Sequence, residues 1–202
     1  FDSPPKFQMP VYSFEVSEDA VNGTTVGTVL ATDGDLDSII VYEITSGNGD
    51  SMFRITSSNG VLSTVGDLDR EASAVYQLIV RATDTSGATD SATITITITD
   101  VNDCFPVFGK DTYVAEFAEG RDGEVLVITA EDLDEGKSGT DGIIFALSCS
   151  ADVAQHFDIG EKSGKIFVRS TAVFDYEVTK SVSCIVTASD FGFPQKSSAV
   201  IT

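Results

Sequence analysis

Acidic side chains stand at matching places in the two halves of this 202-residue chain. Each half carries, in the same order, a single Glu, an Asp-x-Asp pair, an acidic triplet and an Ala-x-Asp. In the first half these are Glu18; Asp33 and Asp35; Asp69-Arg70-Glu71; and Asp84. In the second half they are Glu119; Asp132 and Asp134; Asp175-Tyr176-Glu177; and Asp190. Ca²⁺ prefers oxygen ligands in proteins, so the pattern predicts calcium binding.

Other metal sites fit these residues less well. Mg²⁺ demands a tight octahedron and keeps its waters, whereas Zn²⁺ prefers imidazole and thiolate ligands. The run that begins at Asp33 has acids at the first, third and fifth positions of an EF-hand loop, but its sixth residue is Ser38 and its twelfth is Ile44. These positions call for Gly and Glu, so the EF-hand is excluded. A single acidic loop would be read as solvated surface, but four motifs repeated twice favour metal binding.

Composition excludes several classes of function. Asp and Glu number 32 against 12 Lys and Arg, and the net charge of -20 argues against binding to nucleic acid or to an anionic membrane surface. No apolar run approaches the roughly 18 residues of a membrane span. His156 is the only histidine, and beside Phe157 on a strand it is expected at the surface or the edge of the core. Without a Ser, His and Asp set in each repeat, nucleophilic catalysis lacks its base. Paired carboxylates can hydrolyse glycosides, but here they are dense enough to favour metal binding. We therefore expect no enzyme and no small-molecule substrate.

Alternation of apolar and polar residues predicts β-strands throughout, and no useful helical period occurs. The apolar faces are expected to carry Tyr12, Phe14 and Val16; Val29 and Ala31; Tyr42 and Ile44; Phe53 and Ile55; Tyr76, Leu78, Val80 and Ala82; and Ala92, Ile94, Ile96 and Ile98. Turn signals such as Asn59-Gly60 separate these segments. Seven or so short strands with regular turns predict a Greek-key β-sandwich of about 100 residues.

The second half of the chain repeats the first. Glu18 recurs as Glu119 after 101 residues, Gly60 recurs as Gly164 after 104, and Asp84 recurs as Asp190 after 106. Such an offset indicates an internal duplication. The sequence therefore predicts an all-β protein of two tandem seven-stranded Greek-key β-sandwiches with immunoglobulin-like architecture, 1–103 and 104–202, the second truncated at its C-terminal end.

The polar run between the halves is Asp100-Val101-Asn102-Asp103-Cys104-Phe105-Pro106-Val107-Phe108. It resembles the linker motif of cadherin repeats, which usually reads Asp-x-Asn-Asp-Asn-x-Pro-x-Phe. Cys104 replaces the usual Asn, a position that contributes its backbone carbonyl in that family. Together with the partner motifs, the resemblance covers essentially the whole chain. It implies two consecutive extracellular cadherin repeats from the interior of a longer cadherin or protocadherin-like protein.

The resemblance also implies which residues bind calcium. The central linker is expected to collect the side chains of Glu18, Asp69, Glu71, Asp100, Asn102, Asp103, Asp132, Asp134 and Asp190, with backbone oxygens of Val101, Cys104 and Asp141. Eight carboxylates, one amide and three carbonyls offer roughly twenty oxygens, which suits about three Ca²⁺ ions at six to eight ligands each. Partial outer sites are expected at the two ends of the chain, with Asp2, Asp33, Asp35 and Asp84 at one end and Glu119, Asp175 and Glu177 at the other.

Two further features concern covalent chemistry. Cys149 and Cys184 fall on the inward face of two strands that neighbour each other in such a sandwich, where either buried thiols or a cross-strand disulfide is expected. Asn22-Gly23-Thr24 is an acceptor tripeptide for N-glycosylation in a secreted chain.

The resemblance implies calcium-dependent cell–cell adhesion. Bound Ca²⁺ would rigidify the linker, and the partner would be another cadherin ectodomain in a homophilic or heterophilic contact. The parent protein would be extracellular and anchored by a single membrane span. The alternative is a calcium-binding carbohydrate-binding or accessory module of a secreted enzyme. Sugar platforms favour exposed aromatic residues, especially Trp, and the chain contains no Trp.

Overall fold

The computed structural model describes residues 3–35, 38–170, 172, 174–192, 195 and 197–201. The chain divides into two compact units, Phe1–Val101 (unit 1) and Asn102–Thr202 (unit 2). Both units are built from short β-strands, which confirms the all-β fold. In the described residues no helix is long and apolar enough to cross a membrane.

Unit 1 contains two main sheets and a short strand pair. Its described strands are β1 (Lys6–Phe7), β2 (Val11–Ser17), β3 (Thr25–Thr28), β4 (Ala31–Thr32), β5 (Val41–Ser46), β6 (Phe53–Ile55), β7 (Val61–Thr64), β8 (Val75–Thr83) and β9 (Thr89–Thr99). One sheet has the order β2-β9-β8-β5 and the other has the order β3-β7-β6. Strand β2 runs parallel to β9, whereas β8 pairs antiparallel with both β9 and β5. The seven strands of the two sheets form the expected sandwich.

Apolar and polar residues alternate along β9, an interior strand of its sheet. Ile94 and Ile96 are fully buried and Ile98 is 2% exposed, whereas the threonines between them are exposed or half-buried. Each buried Ile contributes about 1.5–3 kcal/mol through loss of apolar surface from water. One face of β9 therefore packs into the core, and the other is the half-solvated face that threonine favours.

One predicted strand is interrupted. We expected Val29 and Ala31 to share a strand, but β3 ends at Thr28 and β4 begins at Ala31. Val29 is nevertheless fully buried, and its amide donates a 3.0 Å hydrogen bond to the carbonyl of Gly60. Gly60 has φ of +68°, and a Cβ at this position would lie 2.1 Å from the Val29 carbonyl oxygen. The close backbone contact replaces regular strand pairing.

The same contact recurs in unit 2 and gives a physical reason for the repeated glycine. Gly164 has φ of +61°, its carbonyl accepts a 2.9 Å hydrogen bond from Ile128, and a Cβ there would lie 2.0 Å from the Ile128 carbonyl oxygen. Only glycine combines this backbone conformation with such a close approach.

Unit 2 has three described strands in each main sheet and a short pair. Its described strands are β10 (Val107–Phe108), β11 (Gly123–Val127), β12 (Ala130–Glu131), β13 (Ile144–Cys149), β14 (Phe157–Ile159), β15 (Lys165–Val168), β16 (Cys184–Ser189) and β17 (Ser197–Ile201). The orders are β11-β15-β14 and β13-β16-β17, with β10 paired to β12. Residues 113–118, which correspond to β2, are not in a strand.

Cys149 and Cys184 form a disulfide between β13 and β16. The two residues are register partners, with Cα atoms 4.2 Å apart. His156 lies outside the strand where we expected it, because Ala154–His156 forms a single 3-10 turn before β14. Its ring packs edge-on against Phe174, with centroids 5.2 Å apart. The histidine is therefore a half-buried packing residue at the edge of the core.

Candidate metal centre

Glu18 is the first buried carboxylate of unit 1. It follows the last residue of β2, is 6% exposed, and its amide donates to the Thr99 carbonyl at 3.1 Å. Its Oε1 accepts a 2.6 Å hydrogen bond from the Val101 amide, and its Oε2 accepts a 2.7 Å bond from the Arg70 amide. A single side chain therefore holds both the end of unit 1 and the acidic triplet.

The triplet brings two more carboxylates to Glu18. Leu68 is buried and anchors the loop, and Asp69 accepts a 2.9 Å hydrogen bond from the Ala72 amide. One carboxylate oxygen from each of Glu18, Asp69 and Glu71 lies within 4.8 Å of the other two; we call these residues the unit-1 cluster. Ligands on opposite sides of one Ca²⁺ are about 4.6–5.2 Å apart, because each Ca–O distance is about 2.3–2.6 Å. The unit-1 cluster therefore has the spacing that a single Ca²⁺ requires.

The carboxylates of the unit-1 cluster repel one another. Burial raises the pKa of Glu71, and repulsion from Glu18 and Asp100 raises it further, against the opposing effects of its backbone hydrogen bond and Arg70. Arg70 Nη1 lies 3.2 Å from Glu71 Oε1 and 3.5 Å from Asp100 Oδ1. No motif in the sequence indicated this role of Arg70. A cation beside these carboxylates offsets their repulsion.

Unit 2 buries a second set of oxygen ligands, which we call the unit-2 cluster. Its members are Asn102, Asp132, Asp134 and Asp190, with exposures of 6%, 6%, 6% and 0%. Ionised carboxylates are costly to bury without a compensating charge or hydrogen bonds. The three buried aspartates therefore require compensation by hydrogen bonds or by a cation.

Thr140 fixes the Asp-x-Asp loop of the unit-2 cluster. Its Oγ1 accepts a 2.9 Å hydrogen bond from the Asp132 amide and donates a 3.0 Å bond to the Asp132 carbonyl. The Asp134 amide donates to Asp132 Oδ1 at 3.1 Å. Sequence reasoning considered the Thr140-Asp141-Gly142 segment only for the carbonyl of Asp141. Asp141 itself is exposed in the 3-10 turn Thr140–Gly142.

Asp190 and Asn102 meet at the other side of the unit-2 cluster. Asn102 Nδ2 lies 3.5 Å from Asp190 Oδ1, which also accepts a 2.9 Å hydrogen bond from the Gly192 amide. A Cβ on Gly192 would lie 2.2–2.6 Å from the side-chain atoms of Asn102. Gly192, which the sequence analysis did not single out, leaves the space that the asparagine occupies.

Asp103 and Cys104 continue the linker with more exposed side chains. Asp103 is exposed, and Cys104 is half-buried and not part of the disulfide. The Cys104 amide lies 3.3 Å from both carboxylate oxygens of Asp134, so backbone contacts place this residue beside the unit-2 cluster. Cysteine can replace the usual Asn here because residue 104 makes this contact through its backbone amide alone.

The expected outer ligands are less converged among the described residues. Asp35 Oδ2 accepts from the Ser3 amide at 2.7 Å, and Asp33 accepts from the Asp35 amide and from the Ser38 hydroxyl. Asp2 lies outside the described residues. At the opposite end Glu119, Asp175 and Glu177 are all exposed, and the described residues include no close three-ligand group there.

Asp84 is the most enclosed of the outer acids, with an exposure of 8%. The Ser86 hydroxyl, together with the amides of Ser86 and Ala88, lowers the pKa of Asp84 by bonding its carboxylate. Its Oδ2 atom is buried and has no hydrogen-bond partner among the described residues. Asp84 thus has one carboxylate oxygen left for a ligand.

Comparison with known proteins gives a consistent result. A family model described as Cadherin domain matches residues 12–99. Cadherin-99C of Drosophila melanogaster is 38% identical over 190 residues, which cover 93% of this chain and 11% of that protein. Human Cadherin EGF LAG seven-pass G-type receptor 2 is 37% identical over 200 residues, which cover 97% of this chain and 7% of that protein. The crystal structure of mouse Cadherin-23 EC22-24 matches with a TM-score of 0.88 and 27% identity, over 99% of this chain and 63% of that chain. This chain belongs to the cadherin family.

The chain spans about a tenth or less of the curated relatives named above, neither of which is named as an enzyme. The two β-sandwiches are cadherin repeats. The unit-1 and unit-2 clusters carry the same motifs that suggested the resemblance from sequence.

Proposed function

We propose that this chain is a calcium-dependent adhesion module in which Ca²⁺ binds between its two cadherin repeats. The observation that carries the proposal is the unit-1 cluster, where oxygens of Glu18, Asp69 and Glu71 lie within 4.8 Å of one another. The four buried oxygen-ligand residues of the unit-2 cluster support it. Both clusters contain hard oxygen donors, which suit Ca²⁺ better than the nitrogen and sulfur donors that Zn²⁺ prefers.

The linker would join the two clusters through its own ligands. Asp100, Asn102 and Asp103, with the carbonyls of Val101 and Cys104, lie on the continuous chain between them. The carbonyl of Asp141 would complete the set. About three Ca²⁺ ions would neutralise six of the eight negative charges and would share ligands from both repeats. The linker would then change from flexible to stiff on calcium binding.

The outer acids would form partial sites in this fragment. Asp33, Asp35 and Asp84, together with Asp2, would bind calcium fully only with ligands from a preceding repeat. Glu119, Asp175 and Glu177 would need ligands from a following repeat. Full occupancy is therefore expected at the central linker alone.

The cellular setting follows from the same proposal. Extracellular calcium modules commonly bind at about 10⁻⁴–10⁻³ M, which is a concentration found outside cells. We infer that the parent protein is displayed at the cell surface by a single membrane span and that its partner is another cadherin ectodomain. A human relative is named as a seven-pass G-type receptor, which supports a membrane setting for the parent protein and does not bear on the number of its spans.

The experiment that tests the proposal compares Asp134→Ala with Asp111→Ala. Asp134 is buried in the unit-2 cluster, whereas Asp111 is exposed and serves as the matched control. Calcium titration by calorimetry, small-angle scattering and thermal melts would be recorded for each protein with calcium and with chelator. We expect Asp134→Ala to weaken binding at least tenfold and to abolish the calcium-dependent rise in melting temperature. If the parent protein has the same maximum dimension and melting temperature in calcium and in chelator, the proposal is wrong.

A further inference from the structure

The acceptor tripeptide Asn22-Gly23-Thr24 occupies the turn between β2 and β3. Asn22 is exposed, and the neighbouring Val21 is 76% exposed. Gly23 has φ of +89°, a conformation that glycine adopts without steric cost. In the described part of the chain the Asn22 side chain makes no hydrogen bond, so its amide nitrogen is accessible to a reacting partner.

The buried Thr64 forms hydrogen bonds to this turn. Its Oγ1 donates a 2.9 Å hydrogen bond to the Val21 carbonyl and accepts a 3.1 Å bond from the Thr24 amide. Its carbonyl accepts a 2.9 Å bond from the Gly23 amide, and Thr64 is fully buried. The Thr24 hydroxyl also donates to the Val21 carbonyl, at 2.7 Å. These hydrogen bonds fix the turn, so Asn22 is displayed at an exposed and well-defined position.

A second tripeptide of the same kind lies in the linker. Asn102-Asp103-Cys104 has the form Asn-x-Cys, in which cysteine takes the place of Ser or Thr. Asn102 is only 6% exposed, and its Nδ2 faces Asp190 Oδ1 at 3.5 Å. Gly192 packs so closely against the Asn102 side chain that even a Cβ at position 192 would clash with it. A sugar attached to Asn102 is therefore incompatible with the folded unit 2.

The geometry points to Asn22 as an N-linked glycan acceptor, and to Asn102 as an acceptor tripeptide that burial excludes. In the transfer, the amide Nδ2 of Asn22 forms a bond to the anomeric carbon of a lipid diphosphate-linked oligosaccharide. The bond from that carbon to the diphosphate oxygen breaks, the lipid diphosphate leaves with the bonding electrons, and Nδ2 loses one proton. The inference rests on the extracellular part of the proposed function, since this donor is encountered on the secretory pathway.

The test is expression of the chain behind a secretion signal in mammalian cells. Intact-mass measurement before and after peptide N-glycosidase, with digestion in heavy-oxygen water, identifies each modified Asn as a labelled Asp. We expect one glycan, at Asn22, and its complete loss in Asn22→Gln. Thr24→Ser retains an acceptor tripeptide and should retain the glycan. Calcium titration of the deglycosylated protein, performed alongside, reports on the proposed function separately from the glycan.

Cys104→Ser is the sharper control for the buried tripeptide, because it converts Asn-x-Cys into the more usual Asn-x-Ser. Burial predicts that secreted Cys104→Ser carries the glycan at Asn22 alone. A labelled Asp at position 102 in this folded, secreted variant would overturn the exclusion of Asn102. An unmodified Asn22 in the secreted parent chain would overturn its assignment as the acceptor.

Discussion

The Oε1 atom of Glu18 accepts a 2.6 Å hydrogen bond from the amide of Val101, which lies 83 residues further along the chain. The other oxygen of Glu18 accepts from the Arg70 amide. Glu18 therefore has two roles: it fixes the backbone around the unit-1 cluster, and it supplies negative charge to a cation there. These two roles are separable by substitution.

Glu18→Gln should keep one acceptor oxygen but lose the charge, and Glu18→Ala should lose both. We expect Glu18→Gln to weaken calcium binding at least tenfold and to lower the calcium-free stability by less than Glu18→Ala does, because it keeps one of the two backbone hydrogen bonds. Glu18→Ala should also destabilise unit 1 by about 1.5–3 kcal/mol, because it removes hydrogen bonds to a charged group. Calorimetric titration and urea unfolding in chelator measure the two effects. Glu15→Gln, at an exposed position of β2, is the control. Equal calcium affinities of Glu18→Gln and the control would contradict the assignment of Glu18 as a ligand.

Arg70 should act against calcium binding. Its guanidinium contacts Glu71 and Asp100 and so places positive charge beside the carboxylates that an incoming Ca²⁺ would use. Arg70→Gln should raise calcium affinity by about fivefold to thirtyfold, since repulsion between a unit charge and a divalent ion is worth roughly 1–2 kcal/mol in water at separations of about 4–8 Å. The same substitution should lower the melting temperature in chelator, because the acids then lose their compensating cation.

The control for Arg70 is Arg81→Gln. Arg81 lies on the exposed face of β8 and forms an ion pair with Glu43 on the neighbouring strand β5. Neither residue belongs to the acidic triplet. The calcium affinity of Arg81→Gln should equal that of the parent chain. If Arg70→Gln binds calcium more weakly than Arg81→Gln does, Arg70 supports the site instead of opposing it.

Gly192→Ala should disturb the unit-2 cluster without removing a ligand. The added Cβ would lie within 2.2–2.6 Å of the Asn102 side chain and would force that side chain away from Asp190. Such overpacking costs about 1–3 kcal/mol of unfolding free energy. We expect weaker calcium binding together with a lower denaturation midpoint.

Gly109→Ala is the matched change, because its Cβ would meet only the Tyr113 hydroxyl at an ordinary 3.7 Å. Parent-like affinity and stability in both glycine variants would show that Asn102 has more room than the structure gives it.

The Cys149–Cys184 disulfide should stabilise unit 2 selectively. It closes a loop between residues that are 35 positions apart, which corresponds to about 3–4 kcal/mol of chain entropy in the unfolded state. Hydrogen exchange measured by mass spectrometry should show lower protection of 102–170 and 174–192 in the double Cys→Ser variant. Protection of unit 1 should not change, because unit 1 has no cysteine. Cys104→Ser controls for the loss of a thiol outside the disulfide. A uniform loss of protection in both units would refute selective stabilisation.

Local pattern was enough to predict the all-β fold. The Thr-Ile alternation of β9 specifies one buried face regardless of what packs on it, because successive side chains of a strand point in opposite directions. The recurrence of Gly60 as Gly164 was also visible in the sequence, and both residues make the same close contact with a buried backbone carbonyl. The Val29–Ala31 strand was predicted wrongly because this backbone contact involves residues distant in sequence.

The sequence by itself determined which residue types are present at the candidate metal centre, and the assignment of these residues as calcium ligands stays a prediction. Only the tertiary structure decided that Glu18 meets Asp69 and Glu71, and that Arg70 joins them. It also decided that Asn102 is buried while Asn22 is exposed, although both begin acceptor tripeptides. The physical reason is that burial, hydrogen bonding and charge proximity depend on contacts between residues tens of positions apart, whereas sequence pattern reports only the neighbours of each residue along the chain.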